Sequence, residues 1–329
     1  MSWRLRSECE TMRIAIIGCG RAAQQHVEAI ALAGRESVVA ARIAAVVDPD
    51  ETRASDFARK TGAAVRTCAE ALDDPLIDCV SICTPPDAHA DLAIAALRAG
   101  KGVLIEKPVT RTAVELDAIL AVAEATGKPS MAMLQHRGRI PAAALDKVWT
   151  NDSCAAIEVT RLRASHHYLS EAWRHDPNRS GGGHVAHLAV HYIDLACQLL
   201  GTPTAVVGLA ECRDAPHIDT RAALAVRFGG GALMTVLASA HPAPHSERLH
   251  VVDGERALFV TNMSTKYCDG RVEHLQPAST PDLRALVYRE LWAALRGEAA
   301  PDRYSIARAR GVTTVLEAVR KLAATESGS

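Results

Sequence analysis

Residues 13–23 read RIAIIGCGRAA. The apolar run RIAII stops at Gly18, as a short buried parallel strand would. The turn that follows carries the pattern GxGxxA at Gly18, Gly20 and Ala23. In such a turn the first glycine permits a tight bend and the second lets backbone approach a pyrophosphate. The third small residue lets the helix pack closely on the strand. A helix over about 22–33 would offer its free N–H groups and partial positive charge to phosphates. Gly18, Gly20, Arg21 and Ala22 are therefore expected to contact a dinucleotide.

The same alternation continues on the C-terminal side. Ile43–Val47 reads as a second strand ending at Asp48-Pro49, followed by a helix over about 51–61 that stops at Gly62. Short strands are expected at Ala64–Arg66, Cys79–Cys83, Gly102–Ile105 and Pro129–Leu134, with helices at about 69–72, 87–99 and 111–126 between them. Strands alternating with helices of these lengths imply βαβ units and a doubly wound parallel sheet. Asp48 ends the second strand, where an acidic side chain accepts hydrogen bonds from the adenosine ribose and favours NAD over NADP. It lies 28 residues after Gly20, a wider spacing than usual, and Arg42 and Arg53 keep NADP open.

After about residue 135 the pattern changes. Longer alternating runs at 155–163, 204–212, 220–228, 231–239, 247–253 and 256–261 read as strands of a mostly antiparallel open sheet. Gly229-Gly230 and Asp253-Gly254 sit where hairpin turns belong. Helices are expected at about 184–200, 281–296 and 305–324. The fold class is thus α/β, a Rossmann domain followed by an α+β domain. The expected division is a loose tail over 1–11, a cofactor domain over 12–134 and a substrate and oligomerisation domain over 135–300. The C-terminal segment 301–329 would pack its helix back on the first domain. Met12 could equally be the true start.

Composition narrows the function. In 329 residues the formal net charge is −1 and aromatics make up 4%. That gives neither the field nor the stacking platforms of a nucleic-acid binder. No apolar run approaches the roughly 20 residues needed to span a bilayer, and no secretory signal opens the chain, so neither nucleic acid nor membrane is an expected partner. The nine cysteines form no CxxC pair, which reads as reduced thiols in a cytoplasmic protein.

Four segments, GCGRAA at 18–23, CTPPDAH at 83–89, GKGVLIEKP at 100–108 and SGGGHVAHLAVHYIDL at 180–195, resemble the glucose–fructose oxidoreductase/inositol dehydrogenase (Gfo/Idh/MocA) family. The resemblance runs from residue 13 to about 324. It implies that Thr84 and Pro85 lie beside the nicotinamide ribose and pyrophosphate, with His89 near the cofactor or capping its helix. It places Glu106 and Lys107 near the nicotinamide, with Lys107 holding the reacting hydroxyl, and makes His191 the acid/base. Ligands of open α/β sheets bind beyond the strands' carboxyl ends, where Asp48, Thr84 and Glu106-Lys107 fall. A histidine suits proton transfer and a lysine ammonium suits a developing alkoxide.

One position departs from the family. Where relatives carry Asp four residues before the histidine, this chain has His187. Regular helical spacing would set His184, His187, His191 and Asp194 on one face. His187 then either tunes His191 or replaces it as acid/base. A metal at this His pair is not expected, because the glutamate of an HExxH motif and a third ligand are both missing. His184 and Asp194 are expected to cap or pack. Arg137, Arg163, Tyr168 and Trp173 are candidate substrate contacts.

The expected activity is hydride transfer between NAD(P) and a secondary alcohol or ketone of a sugar, sugar derivative or cyclic polyol. The alternatives are a redox-neutral epimerase or lyase using NAD, and a non-catalytic NAD(P)-binding sensor. Relatives pair through the open face of the second sheet, so the resemblance implies a homodimer or homotetramer.

Overall fold

The computed structural model describes residues 11–36, 40–163, 170–213, 216–241, 244–275, 279–298 and 302–326. Tyr168, with His166 and His167, lies outside them, as does nearly all of the expected N-terminal tail.

The first sheet contains β1 (Met12–Ile17), β2 (Ala41–Val47), β3 (Ala64–Val65), β4 (Cys79–Ile82), β5 (Gly102–Ile105) and β6 (Ser130–Ala132). Their order is β3-β2-β1-β4-β5-β6, all parallel. The chain winds outward from β1 in one direction, then restarts beside it with β4, which opens a crevice at their carboxyl ends. Helices α1 (Arg21–Glu36), α2 (Glu51–Thr61), α3 (Cys68–Asp73), α4 (His89–Arg98) and α5 (Ala113–Thr126) make the crossovers. Their ends follow local chemistry. Asp50, Thr67 and Thr112 cap α2, α3 and α5 by accepting backbone N–H bonds, and Gly62 and Gly127 close α2 and α5 in the left-handed region.

Alternate residues of the strands fill two cores. Ile14, Ile16, Leu104 and Met133 face one side, with Ile30 of α1. Ile17, Ile82 and Ile105 face the other, with Leu97 and Leu116.

The second sheet has eight strands: β7 (Cys154–Thr160), β8 (Pro203–Glu211), β9 (Arg221–Phe228), β10 (Leu233–Ser239), β11 (Ser246–Asp253), β12 (Arg256–Thr261), β13 (Thr265–Asp269) and β14 (Val272–Leu275). The order is β14-β13-β12-β11-β7-β10-β9-β8, antiparallel except where β7 pairs with β10. β13 and β14 are too short and polar to have been read from sequence. One face packs on α6 (Val190–Leu200), and the other is open.

Two expectations about the C-terminal part need correction. Helix α7 (Thr280–Leu295), assigned above to the second domain, packs along α1 and places Tyr288, Leu291 and Trp292 in the first domain's core. Helix α8 (Arg310–Glu326), expected to return to the first domain, lies chiefly on β8 and α6 and touches α5 along one edge. Each helix buries its apolar residues against elements distant in sequence, which local pattern does not reveal.

Candidate active site

A cleft of about 1530 Å³ runs along the carboxyl edge of the first sheet, from the end of β3 to the end of β5. Gly18, Gly20, Arg21, Ala22, Asp48, Thr84, Pro85, Glu106, Lys107, Arg163, Trp173 and His187 line it. These residues lie far apart in sequence, and the topology brings them together.

The dinucleotide turn is tightly built. Gly18 has φ +91°, and a Cβ there would lie 2.7 Å from the Cys83 carbonyl oxygen on β4. Only glycine allows β1 and β4 to turn out side by side. A Cβ on Gly20 would meet nothing within 4 Å, so this part of the turn is open. Asp48 accepts the Cys19 N–H at 2.8 Å and the Asp50 N–H at 2.9 Å, which ties the turn to the end of β2. The Thr84 hydroxyl is buried on the cleft wall with no hydrogen-bond partner among the described residues. An open glycine turn at a helix N-terminus, an acidic residue after β2 and an orphaned hydroxyl fit a dinucleotide.

His89 sits elsewhere. It is buried, with Nδ1 3.0 Å from the Pro108 carbonyl and Nε2 3.0 Å from the Thr84 carbonyl. Burial favours its neutral form, whose single N–H donates to one of these carbonyls, so it packs between the two loops away from the cleft lining, as the structural alternative expected.

Glu106 is also engaged by protein. Its Oε1 accepts from His26 Nε2 at 3.0 Å and from Arg284 at 2.9 Å, and its Oε2 accepts the Lys107 N–H at 3.0 Å. Burial alone would raise this carboxyl, but Arg284, His26 and Lys107 hold it well below the usual range. His26 Nδ1 is 2.6 Å from the Tyr288 hydroxyl, which is 2.8 Å from Ser81 Oγ. A neutral His26 that donates from Nε2 and accepts at Nδ1 satisfies every distance, and its burial pushes it toward that form. Glu106 lines the cleft and is held by these protein donors beside Lys107. His26 and Arg284 were missed from sequence. His26 had a signal, being the one polar residue on the buried stripe of Ala23, Ile30 and Ala33. Arg284 had none, since it comes from α7.

Lys107 is the central cation. Its Nζ donates to the His187 carbonyl at 2.8 Å. Burial, with Arg284, Arg174 and Arg163 nearby, lowers its pKa to about 8 against the pull of Glu106.

The glycine-rich helix start does not follow regular spacing. Val185–Ala189 forms a π turn before α6, which inserts a residue and breaks the expected shared face of His184, His187, His191 and Asp194. His187 lines the cleft, 6.1 Å ring to ring from Trp173. His191 is turned inward and does not line the cleft; it stacks on His136 with 4.4 Å between centroids. Burial drives both imidazoles toward the neutral form, His136 to about 3 and His191 well below its ordinary value. His184 is buried, and Asp194 pairs with Arg137 through 2.8 Å bonds to both carboxylate oxygens. Arg137 is 1% exposed and also donates to the Arg303 and Ser305 carbonyls, so its expected role as a substrate contact is corrected.

Asp219, another residue missed from sequence, pins the helix start. It accepts from the Gly183 N–H at 2.6 Å and the Val185 N–H at 2.8 Å. A Cβ on Gly183 would lie 2.0 Å from the Asp219 carbonyl oxygen, which explains that glycine. Among the described residues no three His, Cys, Asp or Glu side chains gather as a metal site.

Comparison with known proteins agrees with this geometry. Residues 12–134 match the description "Oxidoreductase family, NAD-binding Rossmann fold", and residues 153–260 match the GFO/IDH/MocA C-terminal domain. A levoglucosan dehydrogenase of Pseudarthrobacter phenanthrenivorans is 35% identical over 145 residues, 41% of this chain and 36% of the relative. The scyllo-inositol 2-dehydrogenase (NAD(+)) of Bacillus subtilis is 28% identical over 265 residues, 76% of this chain and 73% of the relative. The matched stretch spans 36% of the length of the first of these, and 54% and 60% of two others, inositol 2-dehydrogenase 2 of Saccharopolyspora erythraea and oxidoreductase P35 of Formosa agariphila. A levoglucosan dehydrogenase structure in complex with NADH and levoglucosan shares the fold, with a TM-score of 0.81 at 20% identity over 96% of this chain and 98% of that one. With an NAD-binding Rossmann domain and the family's second domain both matched, the chain belongs to the Gfo/Idh/MocA oxidoreductase family.

Proposed function

We propose that the protein is an NAD-dependent dehydrogenase acting on a secondary alcohol of a sugar, sugar derivative or cyclic polyol. The observation that carries this reading is Lys107: a partly buried lysine on the cleft wall, beside the dinucleotide turn, whose Nζ donates to the His187 carbonyl at 2.8 Å and whose pKa is lowered to about 8. Relatives named as levoglucosan, inositol and glucoside dehydrogenases support the substrate class. Bound NAD supplies the hydride acceptor. Lys107 Nζ, steered by the His187 carbonyl and by Glu106, takes the hydroxyl proton as the carbinol hydrogen leaves. In reduction the ammonium returns that proton to the oxygen. The His187 imidazole lines the same cleft as a second proton group, whereas His191 does not line it and stacks against His136. Asp48 supports NAD over NADP.

This assignment fixes the pH dependence. Oxidation needs the neutral amine, so its kcat/KM should rise with pH through about 8, while reduction, which needs the ammonium, should fall through the same range. Initial rates with NAD and NADH over a panel of sugars and inositols test it. Flat profiles, or a midpoint unchanged in Lys107→Arg, would remove Lys107 from the proton step.

The reading extends to assembly and compartment. The open face of the second sheet exposes Val207, Leu209, Leu233 and Leu237, between 50% and 76% accessible, around Ala223 and Ala225. An apolar face of this kind is a pairing surface, and a homodimer, or a tetramer built from it, would cover it. Light scattering should give a multiple of the 35.1 kDa chain mass, and Leu209→Lys with Leu233→Lys should return it to one. No disulfide joins the eight described cysteines, which supports a reducing, cytoplasmic setting.

A further inference from the structure

Glu106 and Lys107 are neighbours in the chain, and a carboxylate beside an ammonium ordinarily fixes the proton on the amine. A lysine held in that way is a poor base. Here the carboxylate is engaged elsewhere. Its Oε1 accepts from His26 Nε2 at 3.0 Å and from Arg284 at 2.9 Å, and its Oε2 accepts the Lys107 backbone N–H at 3.0 Å. The Lys107 Nζ donates instead to the His187 carbonyl at 2.8 Å.

Of these donors on Glu106, Arg284 is the one that brings a charge. The Lys107 N–H is backbone, and burial drives His26 toward its neutral form. Arg284 is itself fixed. It is 6% exposed, its second terminal nitrogen donates to the Gln25 side-chain carbonyl at 2.7 Å, and it reaches the cleft wall. Bonds on two separate nitrogens set the plane of the guanidinium. Gln25 and His26 both lie on α1, the helix that opens at the dinucleotide turn. One arginine from α7 thus ties that helix to the carboxylate beside the lysine.

Other groups also face Lys107. Arg163, after β7, and Arg174, in the turn Ala172–Arg174, are cations near it. His136 of the turn Gln135–Arg139 and His191 of α6 are imidazoles that burial keeps neutral. Their influence is common to the parent and to every variant below.

We propose that Arg284 is a positioning residue for the reacting lysine: by engaging Glu106 it holds that carboxylate back from the ammonium and leaves Nζ to the His187 carbonyl and the substrate hydroxyl. The role rests on the dehydrogenase reading of this cleft. Arg284 takes no part in the proton or hydride step. It acts through Glu106, and the direct repulsion between the two cations works in the same sense.

The test measures where Lys107 titrates, in two ways. One is the pH profile of kcat/KM for oxidation with NAD. The other needs no turnover: NADH-loaded protein is labelled with methyl acetimidate over a pH series, and the Lys107 peptide is followed by mass spectrometry. Arg284→Gln keeps a hydrogen-bond donor for Glu106 and removes the charge. Its midpoint should move up from about 8 by roughly one to two pH units in both measurements, with the high-pH plateau retained. A lowered plateau with an unmoved midpoint would mark a purely structural arginine and overturns the proposal. Arg284→Lys should return most of the shift. Glu106→Gln should move the midpoint down, and in that background Arg284→Gln should shift it less than about half as far as in the parent. An equal shift in both backgrounds, or no fall in Glu106→Gln, shows that the carboxylate is not the route and overturns the proposal. The Glu106→Gln result holds as a test even where Arg284→Gln by itself does not fold. A labelling shift without turnover of any sugar or inositol sinks the dehydrogenase reading and leaves the hold of Arg284 on the lysine standing. Turnover with an unmoved midpoint does the reverse.

Discussion

Replacing Lys107 by methionine is expected to lower kcat/KM by about three orders of magnitude, while leaving a protein that folds more stably than the parent at pH 7. The loss follows from removing the group that both holds the oxygen and moves its proton. The gain follows from linkage. Burial lowers the folded-state pKa of Lys107 from 10.5 to about 8. A base with a lowered pKa binds its proton less tightly in the folded state than in the unfolded one. The penalty is therefore absent above the ordinary lysine value, grows as pH falls, and is fully present below about 8. Methionine, of similar length and without charge, should recover roughly 1–3 kcal/mol at pH 7. The recovery should vanish near pH 10.5. Denaturant titrations at the two pH values, with NADH binding as a check on the cofactor half, decide the matter. A methionine variant that is destabilised at pH 7 would show that the ammonium is well solvated or well paired.

The second large effect belongs to the Arg137–Asp194 pair. Both side chains are 1% exposed and joined by two 2.8 Å bonds. Removing the carboxylate in Asp194→Ala leaves a guanidinium buried with only carbonyl partners, a change that costs about 3–5 kcal/mol. The melting temperature should fall by roughly 6–15 °C. A double replacement, Arg137→Met with Asp194→Leu, removes both charges together and should recover most of the loss. If the double variant is as unstable as the single one, packing around the pair matters more than its charge. Substrate KM in any folded variant should be close to that of the parent, since neither residue reaches the main cleft.

The parts of this molecule legible in its sequence are those encoded by neighbours along the chain. The glycine turn, the Asp48 at a strand end and the Glu106-Lys107 pair each carry their meaning within a few residues. The doubly wound parallel sheet of the first domain followed from the alternation of strands and helices, while its strand order came only with the structure. What escaped is what depends on distant partners. Arg137 looked like a substrate contact because nothing nearby revealed Asp194, 57 positions on. His191 and His187 could not be told apart because a regular helix was assumed, and the π turn at Val185–Ala189 turns one inward and the other outward. The donors that hold Glu106, His26 and Arg284, could not be seen from its neighbours because they come from α1 and α7. Asp219 had no signal at all, since its role exists only once β9 approaches the glycine run.

The placement of α7 has a consequence for biosynthesis. Residues 12–134 would leave the ribosome long before Tyr288, Leu291 and Trp292 exist to cover Ile14, Ile16 and Leu104. The nascent first domain thus emerges with one sheet face incompletely clothed, and its Glu106 carboxylate lacks Arg284. Such an intermediate exposes apolar strands and invites off-pathway association. The dinucleotide turn is present early, but the lysine beside it acquires its final electrostatic setting only once Arg284 has been made.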